Sequence, residues 1–498
     1  MNPAVSALYA KRALPGAIAA LVFAVIAPAL WSGWSGDDAF YSTLRGMLLA
    51  DHESLARAVG HALAIWTLGN GRIYPLHVVE TYLVFFVFTN LAAYKAFLIA
   101  TTLAAVGLFR RCVAAYLTAD FANLCALLLA TLFAERGYHD AILAYNAATQ
   151  IVAILLLGSV LAYRKTLLEG RSPVLPVALY VLAALTYEDA YALCLLYPAI
   201  ALAAGKPPRD AARLGLPYVA VAAVLTALSL AMRRAAHVAP GSLYASNLVP
   251  AAVARTAYYQ VTSALPLSYW IFDPSHIYSR SSVADFLRNT PVSPFVLVAA
   301  LAVAAVALQP AWGTLRVRAA AALGALLIVL PALPIAVALK YQHELKLGLG
   351  YLPVFFQAFG SALLGAAIVV AVLRRFPARA TAVAFAVLIA ACVTITQAAN
   401  VRLVREGNAS RMARASLQSE LSGGLVAHVH DGEAIAVAAT FDWIDYDDDG
   451  PDGLSTRGLF AMYGDRIVRL VPLGDPSASY LLRYDQHARR WSLVLPNR

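Results

Sequence analysis

Charge is scarce in this sequence. Only 13% of its 498 residues are Asp, Glu, Lys or Arg, against roughly a quarter in a soluble globular domain. Lysine is nearly absent, six residues beside 32 arginines. Cysteine is as scarce, and Cys112, Cys125, Cys194 and Cys392 all fall inside or at the edge of apolar stretches, so no disulfide framework is expected. No GxxxxGK[ST], GxGxxG or HExxH segment occurs, which leaves an ATP-driven pump or a zincin without support. The net charge of +10 is not a nucleic-acid signal either. The basic residues stand mostly in short pairs at the ends of apolar blocks, where they set membrane topology.

In place of charge there is hydrocarbon. Hydrophobic residues make up 61% of the chain and the mean hydropathy is +0.68, arranged in blocks of about 18–22, the length that crosses a bilayer core. The expected fold class is a polytopic all-α membrane domain of about 11 transmembrane helices. Their cores lie near 14–31, 90–109, 113–133, 144–163, 174–187, 190–204, 215–232, 292–309, 319–339, 351–373 and 381–398. Alternate connections carry Lys11/Arg12, Arg110/Arg111, Arg164/Lys165/Arg171, Lys206/Arg209/Arg213, Arg316/Arg318 and Arg374/Arg375/Arg379. The positive-inside rule makes that side cytoplasmic, with the N-terminus inside and the C-terminus outside. The first block is expected to stay as a retained anchor and not as a cleaved signal peptide. Residues 76–109 form an apolar stretch of 34, about 51 Å as helix. One crossing is expected there, with 76–89 interfacial or re-entrant, because two would invert every later connection.

The opposite side bears different chemistry. Its short connections hold Asp37-Asp38, Glu135 to Asp140, Glu188-Asp189 and Lys340 to Lys346, and its long ones run 32–75, 233–290 and 399–498. Ionisable groups at the ends of spans are costly, and they mark function by default. Asp37-Asp38 stands a few residues beyond the first span. Two amphipathic stretches follow, 39–50 and 53–66, each long enough to lie on a membrane surface, and then Asn70-Gly71-Arg72. Adjacent carboxylates repel, which pushes one toward general-base work while its neighbour orients it or an acceptor. An acidic turn without chemistry is the plain alternative.

That acidic pair, the surface helices after it, and the run of about eleven spans ending in an extracytoplasmic domain resemble the GT-C superfamily of membrane glycosyltransferases. The segment Lys346-Leu-Gly-Leu-Gly-Tyr351-Leu-Pro353 is similar to the Arg-Tyr-x-x-Pro segment of several such enzymes, with Lys346 displaced from Tyr351. The resemblance covers about the first 400 residues by architecture and these two short segments by motif. It implies an inverting transferase that moves a sugar from a polyprenyl-phosphate carrier to a cell-envelope glycan or lipid acceptor. Asp37 or Asp38 would serve as catalytic base. Arg72, Lys340, His343 and Lys346, with Arg280 as an outsider, would bind the departing phosphate. His139, Asp140, Glu188, Asp189 and Tyr351 would belong to the substrate site. For Lys340 and Lys346 the competing role is snorkelling from a helix end; for His139-Asp140 and Glu188-Asp189 it is a capped helix end. No cofactor is required, and a divalent cation, as in the oligosaccharyltransferase branch, is the alternative.

The 233–290 connection is rich in Tyr and Trp, which suit either a sugar's C–H faces or an interfacial aromatic belt. Asp273 and His276 are its substrate-site candidates. Residues 1–398 form the expected transmembrane domain and 399–498 a small extracytoplasmic α/β or α+β domain. In the latter, 401–422 has the pattern of a basic amphipathic helix. Alternation then marks short strands at Glu433, Arg466, Tyr480 and Trp491. Asp445, Asp447 and Asp449 match the opening half of a calcium loop, but Thr456 replaces the bidentate glutamate at position 12. Three rivals remain. An O-antigen-ligase-like enzyme would work through Arg280 and His276. A lipid or sugar transporter or flippase would carry internal repeats, and a non-catalytic envelope scaffold would need no site. The expected setting is a bacterial inner membrane with the C-terminal domain in the periplasm, the bilayer and a glycan or glycolipid acceptor as partners, and no nucleic acid.

Overall fold

The computed structural model describes residues 3–136, 139–237, 245–268, 288, 290–309, 312, 315–437 and 454–495. The chain divides into two compact units. One comprises Met1–Trp31, Ile65–His77 and Lys95–Val404, the other Ser32–Ala64, Val78–Tyr94 and Arg405–Arg498.

Among the described residues, seven helices are long and apolar enough to cross a membrane: Arg12–Trp31, Leu91–Tyr116, Tyr145–Glu169, Pro208–Ala235, Val317–Ala336, Val354–Arg375 and Arg379–Asn408. Each coincides with one of the eleven expected spans. Three others are shorter apolar helices, Ala119–Leu129, Val174–Thr186 and Pro294–Ala307, roughly 17–21 Å long against a core of about 30 Å. The expected span 190–204 is a broken element, with 3-10 turns at Glu188–Ala190 and Ala192–Leu195 ahead of an eight-residue helix, Leu196–Ala203. The buried Tyr180 hydroxyl donates to the carbonyls of Ala190 and Tyr191, so the backbone groups released by the break stay satisfied. Arg110 and Arg111 do not terminate a helix. The Leu91–Tyr116 helix runs past them, and Arg110 donates to Asn123 Oδ1 at 2.7 Å. The stretch 76–109 resolves into two helices, Pro75–Val87 and Leu91–Tyr116, parted where the Asn90 side chain accepts from the Ala93 N–H.

Helix starts follow local chemistry. Thr118 accepts from Phe121 N, and Ser293 accepts from Val296 N ahead of Pro294. The Pro208–Ala235 helix has proline at its start, Asp210 in its first turn and Arg233 and Arg234 in its last, a charge order that complements the helix dipole.

In the first unit, helices Val317–Val329 and Val354–Arg375 cross at two glycines. A Cβ on Gly324 would lie 2.8 Å from Gly360 O, and one on Gly360 would lie 2.6 Å from Gly324 O. Between apolar helices in lipid there is little hydrophobic drive to associate, so close backbone approach at small residues and buried polar contacts hold them. Gln357, fully buried, donates to Ile328 O at 2.6 Å and accepts from Gln260 at 2.9 Å. Gln260 Oε1 in turn accepts the Tyr351 N–H at 2.9 Å. Two glutamines thereby fix where Tyr351 stands.

The second unit carries a four-stranded sheet in the order β2-β1-β3-β4, where β1 is Ala434–Val437, β2 Arg469–Pro472, β3 Tyr480–Asp485 and β4 Arg490–Val494. β1 is parallel to both β2 and β3, and β4 is antiparallel to β3. All four β1 residues are buried, as an interior parallel strand requires. Helix Leu454–Gly464 lies in the connection from β1 to β2, which a parallel pair needs. The expected helix at 401–422 is the end of a 44-residue helix, Arg379–Ser422. Trp491 anchors the sheet to that helix by donating from Nε1 to Ala413 O at 2.7 Å. Helix Leu44–Ala50 also belongs to this unit and crosses Leu454–Gly464 so closely that a Cβ on Gly46 would fall 1.8 Å from Gly458 O.

Candidate functional site

The first unit contains a cavity of about 720 Å³ with two unlike ends. One end carries Arg72, Arg233, Lys340, Glu188 and Asp189; the rest of its wall is mostly apolar, from Val219 to Leu230 and from Leu333 to Val337. Leu230 and Leu333 are exposed, so this apolar side faces outward from the helices.

The polar end is assembled by a backbone device. A π-helical turn at Ile65–Gly69 is closed by Asn70 N donating to Ile65 O and Arg72 N donating to Trp66 O. Gly71 then adopts φ +64°, and its α-carbon lies so near the Pro208–Ala235 helix that a Cβ would stand 2.5 Å from both Arg233 N and Arg233 Cα. Only glycine meets both conditions. Arg72, delivered by this turn, forms a two-pronged contact with Glu188 (Nη2 to Oε2 3.2 Å, Nε to Oε1 3.5 Å) and lies 4.4 Å over the Tyr74 ring. Burial works against the guanidinium charge, but Glu188 and the neighbouring Tyr74, Tyr187 and Tyr341 outweigh it and hold the pKa well above its usual value.

Asp189 differs from its neighbour. It is 2% exposed, and its Oδ2 accepts no hydrogen bond from any described residue. Burial, reinforced by the adjacent Glu188 charge, raises its pKa well above the usual carboxylate value, with Arg72 opposing. Burial disfavours the charged form of Asp189, so the basic side chains of Arg72, Arg233 and Lys340 outweigh the acidic ones at this end of the cavity. Such an end attracts an anion, and the apolar remainder accepts hydrocarbon.

A band of rings continues from this end. Tyr341 lies 4.4 Å from Tyr351, and Tyr187 and Tyr341 both interact with the Tyr351 hydroxyl. His139 meets Tyr351 edge-on at 5.0 Å and Tyr145 at 5.4 Å. Burial and the Lys340 charge lower the His139 pKa to about 4, so its imidazole is neutral near pH 7. Tyr145, Asn146 and Ala147 are three consecutive residues with φ of 66°, 44° and 68°. A left-handed run of non-glycine residues costs about 1–2 kcal/mol per residue and persists only where its surroundings impose it. The loop that leads into this run is held by buried groups. Asp140 accepts from Arg136 N, Ile142 N and Leu143 N, while the Arg136 side chain donates to the carbonyls of Gly348, Leu349 and Ser263. Asp140 is therefore a loop organiser, with both oxygens turned to backbone.

The sequence candidates thus separate. Arg72, Lys340, Glu188 and Asp189 line one cavity, and His139 and Tyr351 belong to the ring band beside Tyr341. His343 and Lys346 share the Lys340 segment but are exposed and do not line the cavity. Arg280, Asp273, His276, Asp445, Asp447 and Asp449 lie outside the described residues. Among the described residues no group of three or more His, Cys, Asp or Glu side chains could hold a metal ion.

In the second unit the acidic pair is split by burial. Asp37 is exposed, whereas Asp38 is 1% exposed and accepts from the Tyr94 hydroxyl. Trp34 lies 5.0 Å from the Tyr94 ring, and Glu80 stands near enough for its carboxyl to feel the Asp38 charge. Arg414 secures the segment by donating to Ala39 O and to Ser42 Oγ.

Sequence reasoning did not select Arg233, Tyr187, Tyr341, Tyr94 or Arg414. Arg233 carried a usable signal, a basic residue at the end of a span on the side away from the other basic pairs. The rest act through partners far along the chain. No protein-family model matches the chain, and no curated protein matches it.

Proposed function

We propose that this chain is an inverting glycosyltransferase of the GT-C kind, taking a sugar from a polyprenyl-phosphate carrier and passing it to a hydroxyl of a cell-envelope glycan or lipid. The observation that carries this reading is the two-ended cavity, with Arg72, Arg233 and Lys340 at its polar end and hydrocarbon along the remainder. A polyprenyl-phosphate sugar has that polarity, a short anionic head joined to a long apolar tail. In the reaction the acceptor oxygen attacks the anomeric carbon from the face opposite the phosphate, and the carbon–oxygen bond to phosphate breaks. The bonding pair leaves on the phosphate oxygen, and the acceptor proton passes to a carboxylate. Cations held at the departing phosphate act where charge grows in the transition state. Tyr187, Tyr341 and the Asp189 oxygen offer ring faces and polar edges to a sugar, with Tyr351 packed behind Tyr341. The base in this reading is Asp37 or Asp38. Asp37 is open to solvent, while Asp38 is oriented by the Tyr94 hydroxyl.

No metal is needed for this scheme. The working membrane is a bacterial inner membrane, with the acidic pair and the C-terminal sheet on its outer side. The test is transfer of labelled sugar from a panel of polyprenyl-phosphate sugars by the full chain in detergent, with EDTA as a parallel arm. Wild type is expected to turn over at least one donor, and Arg72→Gln and one of Asp37→Asn or Asp38→Asn are expected to lose turnover while remaining folded. Full activity in both aspartate variants would remove the base assignment. No turnover with any donor would remove the reaction.

A further inference from the structure

The first unit holds a second cavity, of about 200 Å³, between helices Leu91–Tyr116, Ala148–Glu169, Leu196–Ala203, Val317–Val329 and Val354–Arg375. Its wall is apolar almost throughout, with Leu196, Leu323 and Phe359 among the lining side chains. Besides Arg316, the two lining groups that carry a side-chain heteroatom, Cys112 and Tyr116, are already satisfied. Cys112 Sγ donates to Leu157 O, and the Tyr116 hydroxyl donates to Val160 O at 2.8 Å. Nothing inside calls for water, and an apolar cavity stays dry. Left empty, its lining forfeits dispersion contacts, while the surroundings of these apolar helices offer hydrocarbon chains.

The mouth has the opposite character. Arg316 lines it, is exposed, and is steadied by a bond from Nη1 to Ala203 O at 2.9 Å. Lys206 follows three residues after Ala203, and Arg318 is exposed two residues after Arg316. Arg374 donates to Leu315 O at 3.3 Å and brings a further charge to the same segment. Asp210 is the one acid among residues 203–213, beside Lys206, Arg209 and Arg213. An alkyl chain alone would have no use for this rim, and a free anion would have no use for the apolar interior. A phospholipid with a net negative headgroup uses both, and basic pockets between membrane helices select such headgroups.

We propose that this cavity is a binding site for an anionic membrane phospholipid, with the first part of one acyl chain between the five helices, the remainder of the chain along their outer surface, and the phosphate held at Arg316. The site is separate from the sugar-transfer cavity and holds whether or not the chain is a transferase. The probes are dioleoylphosphatidylglycerol and dioleoylphosphatidylcholine in mixed micelles, added to delipidated full-length protein and counted by native mass spectrometry. Wild type is expected to retain one phosphatidylglycerol at least tenfold more than phosphatidylcholine. Leu323→Trp, which fills the cavity, is expected to lose that bound lipid. Arg316→Gln is expected to bring the two lipids to similar retention. Ala319→Phe, at a second lining position, replaces Leu323→Trp if the latter does not elute as a folded, monodisperse protein. Equal retention of both lipids by wild type overturns the headgroup assignment, and undiminished phosphatidylglycerol in a folded cavity-filling variant overturns the site.

Discussion

Replacing Gly71 with alanine tests the device that delivers Arg72. Gly71 has φ +64°, and an added Cβ would lie 2.5 Å from Arg233 N, 2.5 Å from Arg233 Cα and 2.6 Å from Arg233 Cγ. Two of those three atoms are backbone, so no side-chain rotation relieves the contact. The left-handed backbone costs a non-glycine residue about 1–2 kcal/mol, and overpacking a tight contact costs about 1–3 kcal/mol more, for a total of about 2–5 kcal/mol. The chain relieves part of this by moving the 70–72 turn away from the Pro208–Ala235 helix, which carries Arg72 off Glu188 and out of the polar end. A displacement of about 1 Å at a positioning group costs on the order of 100-fold in rate. Gly69→Ala is the control, because a Cβ on Gly69 would meet nothing within 4 Å and its φ is not positive. The assay pairs thermal unfolding in detergent with transfer from the active donor. Gly71→Ala is expected to melt several degrees below wild type and to lose most of its turnover, while Gly69→Ala stays close to wild type. A Gly71→Ala protein that matches Gly69→Ala in both measurements would refute the argument.

A double-mutant cycle on Arg72→Gln and Glu188→Gln should give a coupling energy of about 1–3 kcal/mol in transition-state stabilisation, with Arg72→Gln alone costing about 100- to 1,000-fold in turnover. Strict additivity of the two variants would show that the 3.2 Å pair does not position the guanidinium. For pH, His139 titrates near 4 in the folded chain against an ordinary value of 6.5, so the folded form binds fewer protons between those values. Its contribution to stability is therefore complete above about pH 6.5 and declines as pH falls toward 4. Isotope-edited NMR of the labelled histidines should find one with a midpoint near 4. Lys340→Met should move that midpoint upward, since Lys340 is the second cause of the shift after burial; an unmoved midpoint would separate the two residues.

The sequence alone determined the material and much of the layout. Hydrophobic blocks of bilayer length name their own helices, because a lipid-embedded backbone must satisfy its hydrogen bonds within the segment, and seven such blocks are helices long enough to cross. The strands at 434–437, 469–472, 480–485 and 490–494 were legible for a similar reason, since short apolar runs and β-branching are local properties. Arg72, Glu188, Asp189 and Lys340 could be singled out as charges that a hydrophobic chain keeps in connections, but not as neighbours.

Tertiary structure decided what local pattern does not encode. The segment 190–204 is apolar enough for a span and yet breaks, because Tyr180 meets the released carbonyls from another helix. The Leu91–Tyr116 helix passes through two arginines that would otherwise close it, with Asn123 taking Arg110. Asp37 and Asp38 are chemically identical in sequence, and the fold leaves Asp37 exposed while it buries Asp38 against the Tyr94 hydroxyl, 56 residues away. Gly71 is one glycine among 29 until the Arg233 backbone stands against it. Burial, close approach and the pairing of charges are properties of distance in space, and a one-dimensional pattern carries distance only along the chain.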